Sequence, residues 1–156
     1  MFSQTLEYAL RAVVCLAQHD GKPLTNQALS ELTQVPTSYM SKVLQLLGRE
    51  EIIRATRGMG GGYSLARPAL ELSILDVINA IEPIKRIKIC PLGIKSHGVN
   101  LCPLHHRMDA VLEGAEDAFR KTTLADLLAD TSRSTPLCEA RCVPVSRSKS
   151  FATCSL

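Results

Sequence analysis

A run of glycines near the middle of the chain restricts the fold more than any other feature. Four of the five residues at positions 58–62 are glycine, and neither a helix interior nor a strand interior tolerates so many residues without a Cβ atom. The run therefore predicts a tight turn. Residues 52–56 and 63–66, on either side, have the pattern of short strands, so the turn should close a β-hairpin.

Three helical patterns precede this hairpin. Apolar residues recur at helical spacing over residues 3–18, and Thr25 is placed to cap a short second helix that ends at Leu32. A third helix follows the turn at residues 34–36. A helix pair followed by a hairpin indicates a winged helix-turn-helix domain, which we assign to residues 1–82. The predicted fold class is mostly α with a small β wing.

The third helix has an apolar face for packing and a small polar face that could enter a DNA groove. Hydroxyl and ammonium groups contact phosphates, and glutamine and lysine read base edges. The tip of a hairpin flanked by arginines can enter a minor groove or lie along the phosphates. The predicted DNA contacts are Thr37, Ser38, Tyr39, Ser41, Lys42 and Gln45 on the helix, and Arg54, Arg57, Gly60 and Gly61 on the wing. Taken singly, each element also fits a solvated helix face or an ordinary hairpin turn.

The second half of the chain predicts a loop between helices. A capping box at residues 73–76 opens a helix that ends at Glu82, and residues 83–103 form an irregular loop that contains Cys90 and Cys102. Residues 104–130 predict a long helix and a short final one. The long helix carries an apolar stripe with few neighbours in sequence to cover it, so we expect a partner chain and a homodimer. No periodicity survives in residues 131–156, which we expect to be disordered.

Composition excludes several classes of protein. Hydrophobic residues make up 46% of the chain and the net charge is +3, which suits a globular protein and neither requires nor excludes nucleic acid. We find no membrane-length apolar run, no signal-peptide pattern and no enzyme motif, so we expect a cytoplasmic protein that is not an enzyme. Among the six cysteines, Cys15 should be buried in the core, whereas Cys138, Cys142 and Cys154 lie in the expected disordered tail.

Several motifs together resemble the Rrf2 family of bacterial regulators. The wing at residues 57–66 is similar to that family's signature, and residues 8–11, 38–39, 73–78 and 123–127 agree with it in order. The resemblance covers residues 1–130. It implies a winged-helix homodimer, joined through the long helix, that binds a partly palindromic operator.

The loop is the second candidate site. Cys90, Cys102 and His105 are ligand types that suit an iron–sulfur cluster or zinc. Cluster-bearing members of the family that this chain resembles have three cysteines here. Ser96 stands where an even spacing would place the middle one, which makes a two-iron cluster a better expectation than a four-iron cluster. The resemblance implies Glu7 as a further ligand, donated by the other subunit.

Alternatives to a cluster remain open at this stage. The loop could hold zinc, or it could keep two thiols and no cofactor at all. His97 and His106 are expected to face solvent. We therefore predict a DNA-binding regulator whose operator binding responds to a cluster or to cysteine redox state. The resemblance implies a repressor, because that role is the more common one in the family. The alternative function is an iron–sulfur or redox protein that acts through protein partners without specific DNA binding.

Overall fold

The computed structural model describes residues 2–19, 21–95, 97, 100–130, 132 and 134–137. Six α-helices and one two-stranded antiparallel sheet make up this part of the chain. In order they are α1 Gln4–Gln18, α2 Asn26–Thr33, α3 Thr37–Arg49, β1 Ile53–Thr56, β2 Gly62–Leu65, α4 Ile74–Ile81, α5 Pro103–Lys121 and α6 Leu124–Ala129, with a 3-10 turn at Ala69–Glu71. The prediction of a mostly α fold with a β wing is confirmed.

Local signals place the first three helices. Ser3 caps α1 by accepting a hydrogen bond from the Leu6 amide at 3.2 Å, and Thr25 caps α2 through the Ala28 amide at 3.1 Å. Gln34 then takes a left-handed conformation (φ 54°) that stops α2 and turns the chain into α3. These helices enclose one core, in which α1 contributes a nearly continuous apolar surface that includes the predicted Cys15.

The wing is tied to the helix-turn-helix by main-chain hydrogen bonds. Strand β1 pairs with β2 from Ile53 opposite Leu65 to Thr56 opposite Gly62. In addition, Leu24 and Tyr63 exchange two backbone hydrogen bonds of 2.9 and 2.7 Å. A Cβ atom on Gly62 would lie 2.5 Å from the Leu24 carbonyl oxygen. Only glycine lets the segment before α2 approach the wing this closely.

Both strands begin one residue away from their predicted start. Ile52 was expected in β1, but its amide donates to the Leu47 carbonyl of α3 at 3.0 Å, which ties it to the end of the helix. Gly62 was expected in the turn, but it pairs with Thr56 and so begins β2. In both cases a hydrogen bond to another element decides the boundary.

Two capping boxes join the C-terminal helices to the core. The side chains of Ser73 and Thr123 open α4 and α6 as predicted, each with a reciprocal aspartate. The two caps also lie side by side. The Ile74 amide donates to the Thr122 carbonyl and the Leu124 amide to the Leu72 carbonyl, both at 2.9 Å. Helix α6 consequently packs on α1, with Leu124 fully buried.

Helix α5 is the least covered element. None of its residues is buried, and within the described part of the chain it contacts α4, loop residues Arg86 and Ile87 and, at its far end, Phe2, whose ring forms an edge-to-face pair with Phe119 with centroids 5.6 Å apart. No helix among the described residues is long and apolar enough to cross a membrane. The predicted disorder of residues 131–156, with the three tail cysteines, falls almost wholly outside the described residues. At Pro136 the carbonyl accepts a hydrogen bond of 2.8 Å from Gln18.

Candidate nucleic-acid interface and cysteine loop

Helix α3 has the two faces that a recognition helix needs. Its apolar face is buried against the core through Met40, Val43, Leu44 and Leu47. The six α3 side chains that were predicted to meet DNA are all exposed on the remaining surface: Thr37, Ser38, Tyr39, Ser41, Lys42 and Gln45. The structure therefore leaves this surface available to a ligand.

Two of the predicted contacts are already engaged by α2. The Ser41 hydroxyl donates to the Thr37 carbonyl at 3.0 Å and accepts from Asn26 Nδ2 at 2.6 Å. The Thr37 hydroxyl lies 3.0 Å from that of Ser30. While these bonds are kept, Ser41 can only accept a further hydrogen bond. It suits an amino group at a base edge better than a phosphate, which needs a donor.

Asn26 is a positioning residue that the sequence analysis missed. Its amide group bridges α2 to α3, and its Oδ1 atom is buried without a hydrogen-bond partner among the described residues. An asparagine directly after the capping threonine of α2 was the available signal. Its contact with Ser41, fifteen positions away, was not visible in the sequence.

Tyr39 is supported from α1. Its half-exposed ring meets the edge of Tyr8, with centroids 6.0 Å apart. Gln4 donates to the Tyr8 hydroxyl at 2.7 Å, and the Arg11 guanidinium lies over the Tyr8 ring at 5.9 Å. Glu7 forms an ion pair of 3.0 Å with Arg11. The first half of α1 therefore buttresses the start of α3.

Backbone geometry explains the glycines at the wing tip. Gly58 and Gly60 have φ values of 100° and 79°, which side-chain-bearing residues rarely adopt. The Gly61 amide donates to the Gly58 carbonyl at 2.9 Å, and a Cβ atom on Gly61 would strike the Thr56 carbonyl. These constraints account for Gly60 and Gly61 whether or not they touch DNA.

Arginines flank this turn, as the sequence indicated. Arg54 and Arg57 are both exposed. Arg54 Nε donates to the hydroxyl of buried Ser64 on the neighbouring strand at 3.2 Å, so one donor is used internally while the two terminal nitrogens can reach a ligand. Met59, between Gly58 and Gly60, has a fully exposed side chain.

The loop contains two cysteine–histidine pairs. Cys102, the N-cap of α5, has its Sγ 3.5 Å from His105 Nδ1, as their spacing suggested. Cys90 is buried, and its Sγ lies 3.9 Å from His97 Nδ1. The expectation that His97 faces solvent was wrong, because the residue is partly buried with its ring beside Cys90. His106 is exposed, as expected.

These pairs do not assemble into a metal site within one chain. The described residues contain no group of three or more His, Cys, Asp and Glu side chains arranged to hold a metal ion. Glu7 lies on α1, paired with Arg11, and Ser96 is outside the described residues. As placed in a single chain, Cys90, Cys102, His105 and Glu7 do not fit an iron–sulfur cluster.

A partly buried ion-pair network fastens the loop to α5. Arg86 donates from Nε and Nη2 to the two carboxylate oxygens of Asp109, both at 2.7 Å, and lies 3.2 and 3.4 Å from Glu113 and Glu116. The Ile87 amide also donates to Asp109, at 2.8 Å. We call this set the loop clamp. The hydrogen bond from Arg86 holds the pKa of Asp109 well below its usual range.

The loop clamp was not predicted. Its acidic members recur at i, i+4 and i+7 on α5, a spacing that places them on one helix face. That regularity was visible, but the cation of the clamp comes from the loop more than twenty positions earlier.

Burial raises the pKa of the Cys15 thiol to about 11, so this cysteine is a core residue rather than a reactive one.

Comparison with known proteins gives a consistent result. A family model described as Rrf2, iron-dependent transcriptional regulator, matches residues 2–130. A Mycobacterium tuberculosis protein assigned as an HTH-type transcriptional regulator is 32% identical over 127 residues, which cover 80% of this chain and 79% of that protein. An Aquifex aeolicus protein with the same assignment is 26% identical over 131 residues, covering 82% and 91%.

Solved structures show the same fold. The structure of T. potens IscR superposes with a TM-score of 0.70 at 24% identity, covering 83% of this chain and 87% of the other.

Proposed function

Because the chain belongs to the Rrf2 family of transcriptional regulators, we propose that it binds an operator as a homodimer and represses transcription according to the state of its loop cysteines. Its relatives and its fold are those of regulators and not of enzymes. A protein that acts on DNA in this way works in the cytoplasm. The alternative, a redox protein that acts only through protein partners, leaves the exposed faces of α3 and the wing without a role.

One observation carries the DNA-binding proposal. The wing and the helix-turn-helix are joined by the backbone hydrogen bonds between Leu24 and Tyr63, so they move as one unit. A duplex can then meet the polar face of α3 in its major groove and the wing beside it. Binding that depends on two elements held at a fixed separation gives geometric selectivity that a single solvated helix lacks.

The dimer proposal rests on the surface of α5. Leu104 is 64% exposed and Val111 is 73% exposed, and with Met108 they form one stripe. The loop clamp occupies a different face of the same helix. A second copy of α5 is the natural cover for an apolar stripe that its own chain leaves open. Two copies would place two recognition helices on two half-sites.

The sensing proposal concerns Cys90 and Cys102. Each thiol lies beside an imidazole nitrogen, and both cysteines are in the segment that the loop clamp fastens to α5. Oxidation of the two thiols by a peroxide would form one S–S bond and transfer two protons and two electrons to the peroxide, which is reduced to water and an alcohol, or to two waters. Reordering of the loop would then shift α5 and the separation of the recognition helices.

An iron–sulfur cluster is the second candidate for the same loop, because the matching family is described as iron-dependent. It would need ligands from the partner subunit, with Glu7 as the candidate. Cys90, Cys102 and His105 would supply the rest only after the loop rearranges, because as placed they form no group that could hold a metal ion. Anaerobic purification, an absorption spectrum and iron and sulfide analysis separate the two candidates. Coloured protein supports the cluster, whereas colourless protein whose operator affinity responds to peroxide only when both cysteines are present supports the thiols.

Selection from a random-sequence duplex library tests the DNA-binding proposal itself. We expect enrichment of a partly palindromic sequence, whose affinity falls linearly with the logarithm of salt concentration. A protein that works through protein partners would enrich no sequence and show no salt-dependent duplex binding. Operator affinity that ignores both iron and oxidant would contradict the sensing proposal alone.

A further inference from the structure

Met59 is the most exposed of the large apolar side chains in the described part of the chain. Its relative exposure is 107%, against 74% for Leu92, the next in order. Leu92 belongs to the loop, whereas Met59 stands at the tip of the wing. Tight turns in water are usually made of Gly, Pro, Asn, Asp and Ser. A thioether side chain at this position has no folding role that the structure can supply.

The turn presents this side chain on a fixed frame. Gly58 and Gly60 hold left-handed conformations on either side of Met59, and the Gly61 amide closes the turn on the Gly58 carbonyl at 2.9 Å. The base of the wing is fastened to the segment before α2. Met59 therefore projects from a constrained hairpin, so little backbone conformational entropy would be lost when a ligand surrounds its side chain.

The surroundings of Met59 indicate what that ligand is. Arg57 precedes it, and Arg54 on β1 is held across the hairpin by Ser64. An apolar tip on a cationic stem complements a cleft with anionic walls and an apolar floor. The minor groove of duplex DNA has this composition, with phosphates along its edges and stacked bases beneath.

The geometry points to Met59 as a minor-groove wedge: its side chain enters the groove beside the recognition helix and partly unstacks one base step. This inference rests on the proposed function and names a contact within it. Apolar wedges of this size, methionine among them, bend the duplex when they insert. Pyrimidine–purine steps unstack most easily, so the selected operator should carry such a step where each wing lies.

Three variants test the wedge on the duplex enriched from the random library. Met59→Ala removes the wedge, Met59→Leu keeps an apolar side chain of similar size, and Arg57→Ala removes a charge beside it. We expect Met59→Ala to bind about tenfold more weakly, and Met59→Leu to stay within about threefold of the unaltered protein. Only Arg57→Ala should flatten the dependence of log affinity on log salt, by about one unit.

A second readout reports the unstacking directly. With 2-aminopurine placed in the flexible step, the unaltered protein and Met59→Leu should raise its fluorescence, and Met59→Ala should not. Unchanged affinity of Met59→Ala, or weaker binding with the fluorescence rise intact, would overturn the wedge while leaving the proposed function in place. Failure of the unaltered protein to enrich any duplex would instead remove the proposed function and the wedge with it. The urea midpoint of Met59→Ala should equal that of the unaltered protein, because the side chain packs against nothing.

Discussion

Replacement of Gly62 by alanine should detach the wing from the helix-turn-helix. The new Cβ atom would lie 2.5 Å from the Leu24 carbonyl oxygen and 2.6 Å from its carbon. Both are main-chain atoms, which cannot rotate away as a flexible side chain could. The segment at Leu24 and strand β2 must separate at this point, and the hydrogen bonds between Leu24 and Tyr63 should be lost.

The size of the effect follows from those two bonds. Each backbone hydrogen bond contributes a net of about 1 kcal/mol, so the free energy of unfolding should fall by about 2 kcal/mol. In urea that corresponds to a midpoint lowered by about 1 M. Operator affinity should fall as well, by roughly tenfold for each 1.4 kcal/mol of free energy needed to realign the wing on the duplex.

Gly48→Ala is the matched control. Gly48 lies in α3, and a Cβ atom there would meet nothing within 4 Å. The same substitution should raise the free energy of unfolding by up to about 1 kcal/mol, because alanine favours the helix. Equilibrium urea unfolding and operator titration measure both variants. If Gly62→Ala were as stable as Gly48→Ala and bound the operator equally well, the close approach of Leu24 to the wing would be refuted.

Four further outcomes follow from the structure. Val111→Glu should sediment as a monomer at micromolar concentration and should bind the operator weakly, and a monomeric unaltered protein would contradict the α5 dimer. Lys42→Ala and Arg57→Ala should each weaken operator binding without unfolding the protein, whereas unchanged affinity in both would remove α3 and the wing from the interface. Cys15 should resist alkylation at pH 8 in the native state and react only after unfolding, because its pKa of about 11 keeps it protonated. Asp109→Asn should lower the free energy of unfolding at neutral pH and make that free energy less dependent on pH in the acid range. The pKa of Asp109 is depressed in the folded state. The stabilisation by its carboxylate is therefore present above the unfolded pKa near 3.9 and is lost as the pH falls through the folded pKa. Unfolding by urea at several pH values measures it.

The parts of the fold that could be predicted are those set by neighbouring residues. Capping side chains at Thr25, Ser73 and Thr123 each lie within four residues of the amides they satisfy, and all three opened helices as predicted. The glycine run gave the turn for a similar reason, since φ is a property of one residue. The polar face of α3 followed from helical periodicity alone.

What the sequence could not provide depends on partners far along the chain. The boundary of β1 is decided by a hydrogen bond to α3, and His97 lies beside a cysteine seven positions earlier. In the sequence, Arg86 is indistinguishable from an ordinary surface charge, because its partner Asp109 on α5 is 23 positions away. Nothing local marks such contacts, because each depends on how two separate elements pack.

The most direct test of the account is a hydroxyl-radical footprint of the homodimer on the selected duplex. The account predicts two protected half-sites whose centres lie one helical turn, about 34–36 Å, apart or a multiple of it, each with an adjoining protected minor groove that Gly62→Ala leaves open. A single protected site, or protection that does not depend on the enriched sequence, would contradict operator binding by two copies of α3 and the wing.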